Sequence, residues 1–331
     1  MKSKTVVFTK PMTAETLMQD TRPVGENDVV VKMEYTVISG GTERAVFMNN
    51  ENTGGVFPTS LGYCGVGCVI QTGNSVTKVS DGDRVLVYHG IHTEYNVVDE
   101  SQVTKVDDDS IDSLEAAFVV IASMGLGGVR KLELELGESA MVMGLGLLGI
   151  FAVQFLRQSG ANPLIAADPN PDRRKLALSL GADFALDPTE DDFANKVREI
   201  TKGNGVRACV EVTGISKAMT QALECASWMG RISLLGCTRV SDSSVDYYTK
   251  VHRPGVKLIG AHNFVRPKFE SYPHHWTHHD DCTAILDMIS NKRIQVKPIV
   301  SRIVRPESAP KIYKELCESK NFPLGTVFDW K

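Results

Sequence analysis

A chain of 331 residues with 42% apolar and 23% charged side chains can build two buried cores and has an ordinary globular balance. Its 36 basic against 40 acidic groups leave a formal charge of -4 with no basic block, which argues against nucleic acid or a membrane surface as partner. Cysteines at 64, 68, 209, 225, 237, 282 and 317 form no CxxC pair and no disulfide pattern, so a reducing, cytoplasmic setting is expected.

The opening MKSKTVVF turns polar again at Thr9-Lys10, too soon for a signal peptide. Strand signals then follow at 28–38 (DVVVKMEYTVI), 64–70, 83–88 and 93–98, separated by turns such as Thr72-Gly73-Asn74 and Asp81-Gly82-Asp83. Asp112 with Glu115 three residues on has capping-box spacing, and a helix is expected to run from there through AAFVVIASMGLGGVRKL. From residue 140 the rhythm changes. AMVM reads as a buried strand, LLGIFAVQFLRQSG as a helix, PLIAAD as a strand and DRRKLALSLGAD as a helix. Helices at 190–202 and 216–226 and strands at 206–212, 231–236 and 256–261 continue the alternation, which implies an α/β fold with a doubly wound parallel sheet. The longest apolar stretch, Ala140 to Val153, is glycine-laced and too short to cross a bilayer of ~30 Å. After residue 265 the alternation stops. A loop rich in proline and histidine leads to helices near 279–291 and 308–318 and a last strand, GTVFDW.

GLGLLG, Gly144 to Gly149, sits between the AMVM strand and the next helix. In that position Gly144 permits the tight turn, Gly146 lets a pyrophosphate approach the backbone, and Gly149 lets helix and strand pack closely. The helix N-terminus adds amide donors and a partial positive charge. Asp168, 19 residues after Gly149, closes the second strand where a carboxylate binds ribose hydroxyls and repels a 2′-phosphate. NAD is therefore the expected cofactor. Arg173 and Arg174 follow closely and offer a counter-charge for that phosphate, which leaves NADP open.

A β-rich first part, a nucleotide-binding unit starting near residue 120 and a C-terminal return together resemble the medium-chain dehydrogenase/reductase superfamily, the group of the zinc alcohol and sorbitol dehydrogenases. GDRVLVY, TEYNVV, MVMGLGLLG, LALSLGAD, VEVTG and GRISLLG stand in that family's order along essentially the whole chain. The resemblance implies a Rossmann domain at 121–264, inserted into a GroES-like β-rich catalytic domain made of 1–120 and 265–331, with the active site in the cleft. It adds Leu147, Leu148, Thr213, Gly236 and Cys237 to the cofactor residues. A homodimer or homotetramer joined at sheet edges, through VKLIGA, is implied as well.

The chain departs from the family at its metal ligands. In VISGGTERAVF, Ser39 stands where zinc-using members carry a cysteine, and Gly62-Tyr63-Cys64 replaces a Gly-His-Glu segment. The third ligand position falls at about Val120, and only YHGIHT lies where a four-cysteine structural loop belongs. Zinc needs three or four N, S or O ligands in tetrahedral reach. No metal is therefore expected. A rebuilt site would have to draw on Cys64, His89 or His92, and Glu43. SGGTE, the missing zinc loop and the LGTVFDW ending look like a narrower branch that includes bacteriochlorophyllide-type and sugar or keto-glycoside dehydrogenases.

Without zinc, a side chain must manage the proton or the developing oxyanion. Tyr63 is the candidate donor, Glu43 its orienting group or a base, and Thr42 a relay to solvent. The competing readings are a core tyrosine and a structural ion pair of Glu43 with Arg44 or another cation. SYPHHWTHHDD (271–281) is similar to a loop of the sugar-acting members. His274, His275, Trp276 and His89 are the candidate contacts to a small polar substrate, against a solvated loop and a packing indole. The expected activity is NAD(H)-dependent, zinc-independent hydride transfer at a hydroxyl or ketone of a sugar, cyclitol or polyol. The alternatives are an NADPH-dependent enone or quinone reductase and a catalytically inactive nucleotide-binding relative.

Overall fold

Alternating apolar residues in the first hundred positions pair into a seven-stranded sheet. In the computed structural model, which describes residues 1–331 except Arg239, Ser241, Ser243 and Lys320, Asp28–Val37 is flanked by Cys64–Thr72 on one side and Gly325–Asp329 on the other, both antiparallel. Arg84–Tyr88 and Val103–Lys105 continue one flank, Val300–Val304 the other, and Tyr95–Asp99 also pairs with Asp28–Val37. A hairpin, Lys2–Lys10 with Thr13–Asp20, precedes this sheet. Its strands escaped the sequence reading because lysines interrupt the alternation. Phe8, Phe47, Tyr313 and Phe328 fill the core beside this sheet, with ring centroids of Phe8 and Tyr313 4.7 Å apart.

The second sheet is wholly parallel. Its order is Phe184–Leu186, Leu164–Ala167, Ala140–Met143, Val206–Glu211, Ala226–Leu234 and Lys257–Gly260. That is the 3-2-1-4-5-6 order of a dinucleotide-binding sheet, with the reversal beside Ala140–Met143. Ala140–Met143 and Leu164–Ala167 are buried at every position, as a parallel sheet covered on both faces requires. Helix Leu147–Gln158 is likewise buried almost throughout. Lys257–Gly260 forms the outer strand at one edge.

The chain divides into two compact units, Met1–Ile121 with Cys282–Lys331, and Ala122–Asp281. The first boundary lies within a residue of the expected one. The second lies at 281/282 where 264/265 is expected, because Asp281 ion-pairs with Arg130 and Arg266 and ties segment 262–281 to the helix at 119–130.

The expected single helix from residue 112 is two helices, Ser113–Ala116 and Val119–Arg130. The break falls where the Phe118 N–H closes on Glu115 O at 3.1 Å, a tightened turn in place of the next helical hydrogen bond. Asp112 does cap the first helix, accepting from the Leu114 N–H at 2.6 Å. Helix Gly40–Phe47 lies in a segment to which the sequence reading assigned no element. No helix among the described residues is long and apolar enough to cross a membrane.

Candidate active site

The glycine loop has the geometry its sequence demands. Gly144 sits at φ 95°, a conformation that L side chains rarely adopt, and a Cβ there would strike Thr213. A Cβ on Gly149 would lie 1.9 Å from Gly144 O, so only glycine lets the helix close on the turn. Gly146 differs. Nothing stands within 4 Å of its missing Cβ, and it caps helix Leu147–Gln158 without a side chain. The open space above Gly146 and the first-turn amides of Leu147 and Leu148, which meet no backbone acceptor among the described residues, fit a pyrophosphate.

Asp168 follows the Leu164–Ala167 strand and is buried. Its two oxygens accept from the Leu145 and Asn170 N–H groups, each at 2.8 Å, so it both anchors the glycine loop and keeps lone pairs for ribose hydroxyls. Arg173 approaches it at 4.0 Å. Arg174 donates instead to the carbonyls of Asp168 and Pro169 and to Asp187, which leaves it tied down. Thr213, Gly236 and Cys237 converge on the same edge. The missing Cβ of Gly214 would meet Cys237 O at 2.5 Å, and that of Gly236 would meet Gly214 N at 2.3 Å. Glu211 holds this turn: it accepts from the Thr213 N–H at 2.7 Å, the Gly214 N–H at 3.2 Å and the Thr213 hydroxyl. Burial pushes its carboxyl above the usual range, only partly opposed by these donors. VEVTG was legible as a landmark, but the role of Glu211 was not.

In the other unit, Tyr63 and Ser39 are hydrogen-bonded through their hydroxyls, and Thr42 lies close enough to act on the Tyr63 phenol. Gly62, at φ 124° and with its missing Cβ 2.4 Å from His92 N, lets the chain turn tightly enough to deliver Tyr63 there. Burial raises the Tyr63 phenol, with the charge of Glu43 adding to the rise against the lowering by Ser39 and Thr42. Tyr63 is thus a neutral donor across the working range of pH.

Glu43 is fully buried on helix Gly40–Phe47 and makes no hydrogen bond to Tyr63. Its oxygens take the Ser39 N–H at 2.8 Å, the Tyr313 hydroxyl at 2.6 Å, and His92 Nε2 at 3.2 Å. His92 in turn meets Thr36 at 2.7 Å, whose hydroxyl accepts from the Trp330 indole N–H at 2.9 Å. Such a buried carboxylate persists because each oxygen is met by donors. Glu43 does not pair with Arg44, which reaches Cys317 O. Cys64 is fully buried, and its thiol is pushed up by burial and by Glu43. It is a packed, protonated side chain.

His89 lies at the surface at φ 60°, its ring 3.7 Å from that of Tyr88, and partial burial lowers its pKa. His274, His275 and Trp276 line one recess with Arg130 and Arg266. The His274/His278 and His275/His279 spacing is not helical, since the helix begins at His278 and Tyr272 and His275 close a tight turn before it. One face of Trp276 is covered by the Arg130 guanidinium at 3.8 Å.

Residues 25–108 match the alcohol dehydrogenase GroES-like domain and residues 148–275 the zinc-binding dehydrogenase family. L-threonine 3-dehydrogenase of Pyrococcus furiosus is 30% identical over 264 residues, spanning 70% of this chain and 75% of that one. The chain belongs to the medium-chain dehydrogenase/reductase superfamily. D-guloside 3-dehydrogenase of Escherichia coli is 23% identical along 98% of this chain and 100% of its own. A Sinorhizobium meliloti protein solved with NADP bound superposes with a TM-score of 0.83 at 20% identity, covering 99% of both chains. The protein is therefore an oxidoreductase of this superfamily.

Zinc, which the second family description implies, does not fit the donors present. Ser39 and Tyr63 are engaged with one another, and Glu43 and His92 are consumed by the buried network. Among the described residues, no three His, Cys, Asp or Glu side chains converge as ligands would.

Proposed function

We propose that this dehydrogenase moves a hydride between NAD and a hydroxyl or ketone of a sugar, cyclitol or polyol, and that Tyr63 takes the place of a metal ion. The observation that carries this reading is the hydrogen-bonded Ser39–Tyr63 hydroxyl pair, standing at two positions where the resemblance places metal ligands, with Thr42 beside it. Bound nicotinamide supplies the hydride acceptor or donor at its C4. In ketone reduction, Tyr63 gives its hydroxyl proton to the substrate oxygen as the hydride arrives at carbon. Ser39 or Thr42 returns a proton to Tyr63, and half-buried Thr42 passes the deficit to solvent. Alcohol oxidation runs the same route backward. A positioned acid of this kind contributes roughly 10²–10⁴-fold.

Glu43 acts at one remove, as a positioning residue. It holds the Ser39 N–H at 2.8 Å and so fixes the hydroxyl that faces Tyr63. Asp168 supports NAD over NADP, since a buried carboxylate beside the ribose repels a 2′-phosphate and Arg174 is already engaged. The outer strand Lys257–Gly260 is the edge through which a homodimer would extend the parallel sheet.

The test is an initial-rate panel of polyols, glycosides and quinones with NAD and NADP, on protein purified without a metal-affinity step. Polyol turnover with NAD, undiminished by a chelator and with zinc far below one per chain, is expected. Stoichiometric zinc whose removal abolishes turnover, or quinone reduction with NADPH alone, overturns the reading.

A further inference from the structure

Helix Val119–Arg130 ends on two adjacent cations, Arg130 and Lys131, and Arg266 follows the sixth parallel strand to meet them. One carboxylate lines the recess with them, and it pairs with the two arginines. Asp281, 1% exposed, takes the Arg130 Nε–H at 2.7 Å on one oxygen and Arg266 Nη1 at 3.4 Å on the other. Arg266 is held at every nitrogen, its Nε–H going to Asn263 O at 3.1 Å and its Nη2 to Ser123 O at 3.2 Å. Arg130 is not. Among the described residues its two terminal nitrogens meet no acceptor, while the guanidinium lies 3.8 Å over the Trp276 ring. Stacking holds the fork flat, and its terminal donors remain open to a further acceptor. Lys131 has no ion-pair partner among the described residues, and burial, with the charge of Arg266, lowers its pKa.

Three cations against one carboxylate leave an uncompensated positive charge in a concave wall, to which His262, His274 and His275 add further donors. A half-buried lysine held beside two arginines is unfavourable unless an anion joins them. The recess also stands on the ligand edge of its sheet. It begins at Ala261, just past the carboxyl end of Lys257–Gly260, and Gly128 on the same helix packs against Leu235, the residue before Gly236 and Cys237. Ligands of parallel sheets bind outside those carboxyl ends.

We propose that this recess is an oxyanion subsite in which Arg130 and Lys131 hold a carboxylate or phosphate carried by the sugar substrate. The substrate class rests on the dehydrogenase reading above; the anion preference does not. Calorimetric titration of the NAD-saturated protein with D-glucuronate, D-glucose 6-phosphate, inorganic phosphate and the neutral methyl D-glucopyranoside tests it, and the two sugar anions separate carboxylate from phosphate. One or both sugar anions should bind at least about tenfold more tightly than the neutral glycoside and than phosphate alone. Lys131→Gln should remove about tenfold of that preference and Arg130→Gln more, with Arg130→Lys recovering part. Neutral-glycoside binding and NAD affinity should not move, which guards against a folding defect from the weakened Asp281 pairing.

Equal affinity for neutral and anionic sugars overturns the subsite, as does a preference that survives both glutamine variants. Inorganic phosphate binding as tightly as either sugar anion overturns the substrate assignment. Oxidation of neutral polyols with indifference to anions sinks this inference and leaves the dehydrogenase reading standing. Selective anion binding with no hydride transfer on any panel does the reverse.

Discussion

The glycine loop and the Tyr63 cluster position chemistry by opposite means. At Gly144–Gly149 the useful feature is missing matter: no Cβ, and open space above Gly146. Around Tyr63 it is surplus matter, a Ser39–Tyr63 hydroxyl pair backed by Glu43, His92, Thr36, Tyr313 and Trp330 in one chain of hydrogen bonds. A backbone site tolerates no added atom, whereas a side-chain site tolerates no lost one.

Gly149→Val breaks the first site hardest. Its Cβ would enter the space of Gly144 O, so nucleotide binding should be lost and stability should fall by about 3 kcal/mol or more in denaturant titration. Gly146→Ala sharpens the contrast: the unfolding midpoint should hold while the NAD Kd rises about tenfold, because the added methyl meets cofactor and not protein. A large stability loss in the second variant would remove the distinction.

Tyr63→Phe should cut kcat by roughly 10²–10⁴ with NAD affinity and stability nearly unchanged. The pH profile adds a sign. A phenol raised by burial stays protonated as pH increases, so the ketone-reduction rate should remain flat through pH ~10, where an ordinary tyrosine would begin to ionise. A fall centred below that value would mean Tyr63 is not the donor.

Glu43→Gln comes next, with an expected loss of about 1–3 kcal/mol by chemical unfolding, since an amide N–H₂ would face the Tyr313 or Ser39 donor. The kcat should fall with it, because Ser39 loses its anchor. Unchanged stability would contradict the buried network. Asp168→Asn is the mildest: the NAD over NADP preference should narrow about tenfold in kcat/KM, the carboxylate charge having gone while one oxygen acceptor remains.

How much of this was readable from the residues follows the same division. The strand-turn-helix around GLGLLG, the acidic end of the second strand and the βα alternation were all legible, since each rests on constraints among near neighbours in the chain. Helix Gly40–Phe47 was not, because two leading glycines and a threonine carry a loop signal that tertiary burial of Glu43, Ala45 and Phe47 overrides. Tyr63 was singled out from its place in the motif, and the structure sets its hydroxyl against Ser39, yet Glu43, expected to orient it, turns inward to other partners. The Arg130 and Lys131 pair carried no signal at all, being two cations at an ordinary helix end.

By itself the sequence determined the nucleotide-binding turn, the alternation of parallel strands and helices, and the family, because glycine sterics and hydrophobic period act locally on the backbone. Only the tertiary structure decided which polar side chains meet. Glu43 finds His92 from 49 residues away and Tyr313 from 270, and Arg130 finds Asp281 from 151. Such pairings are chosen by the cost of leaving a buried charge unpaired, and that cost is defined only once the core has closed around it.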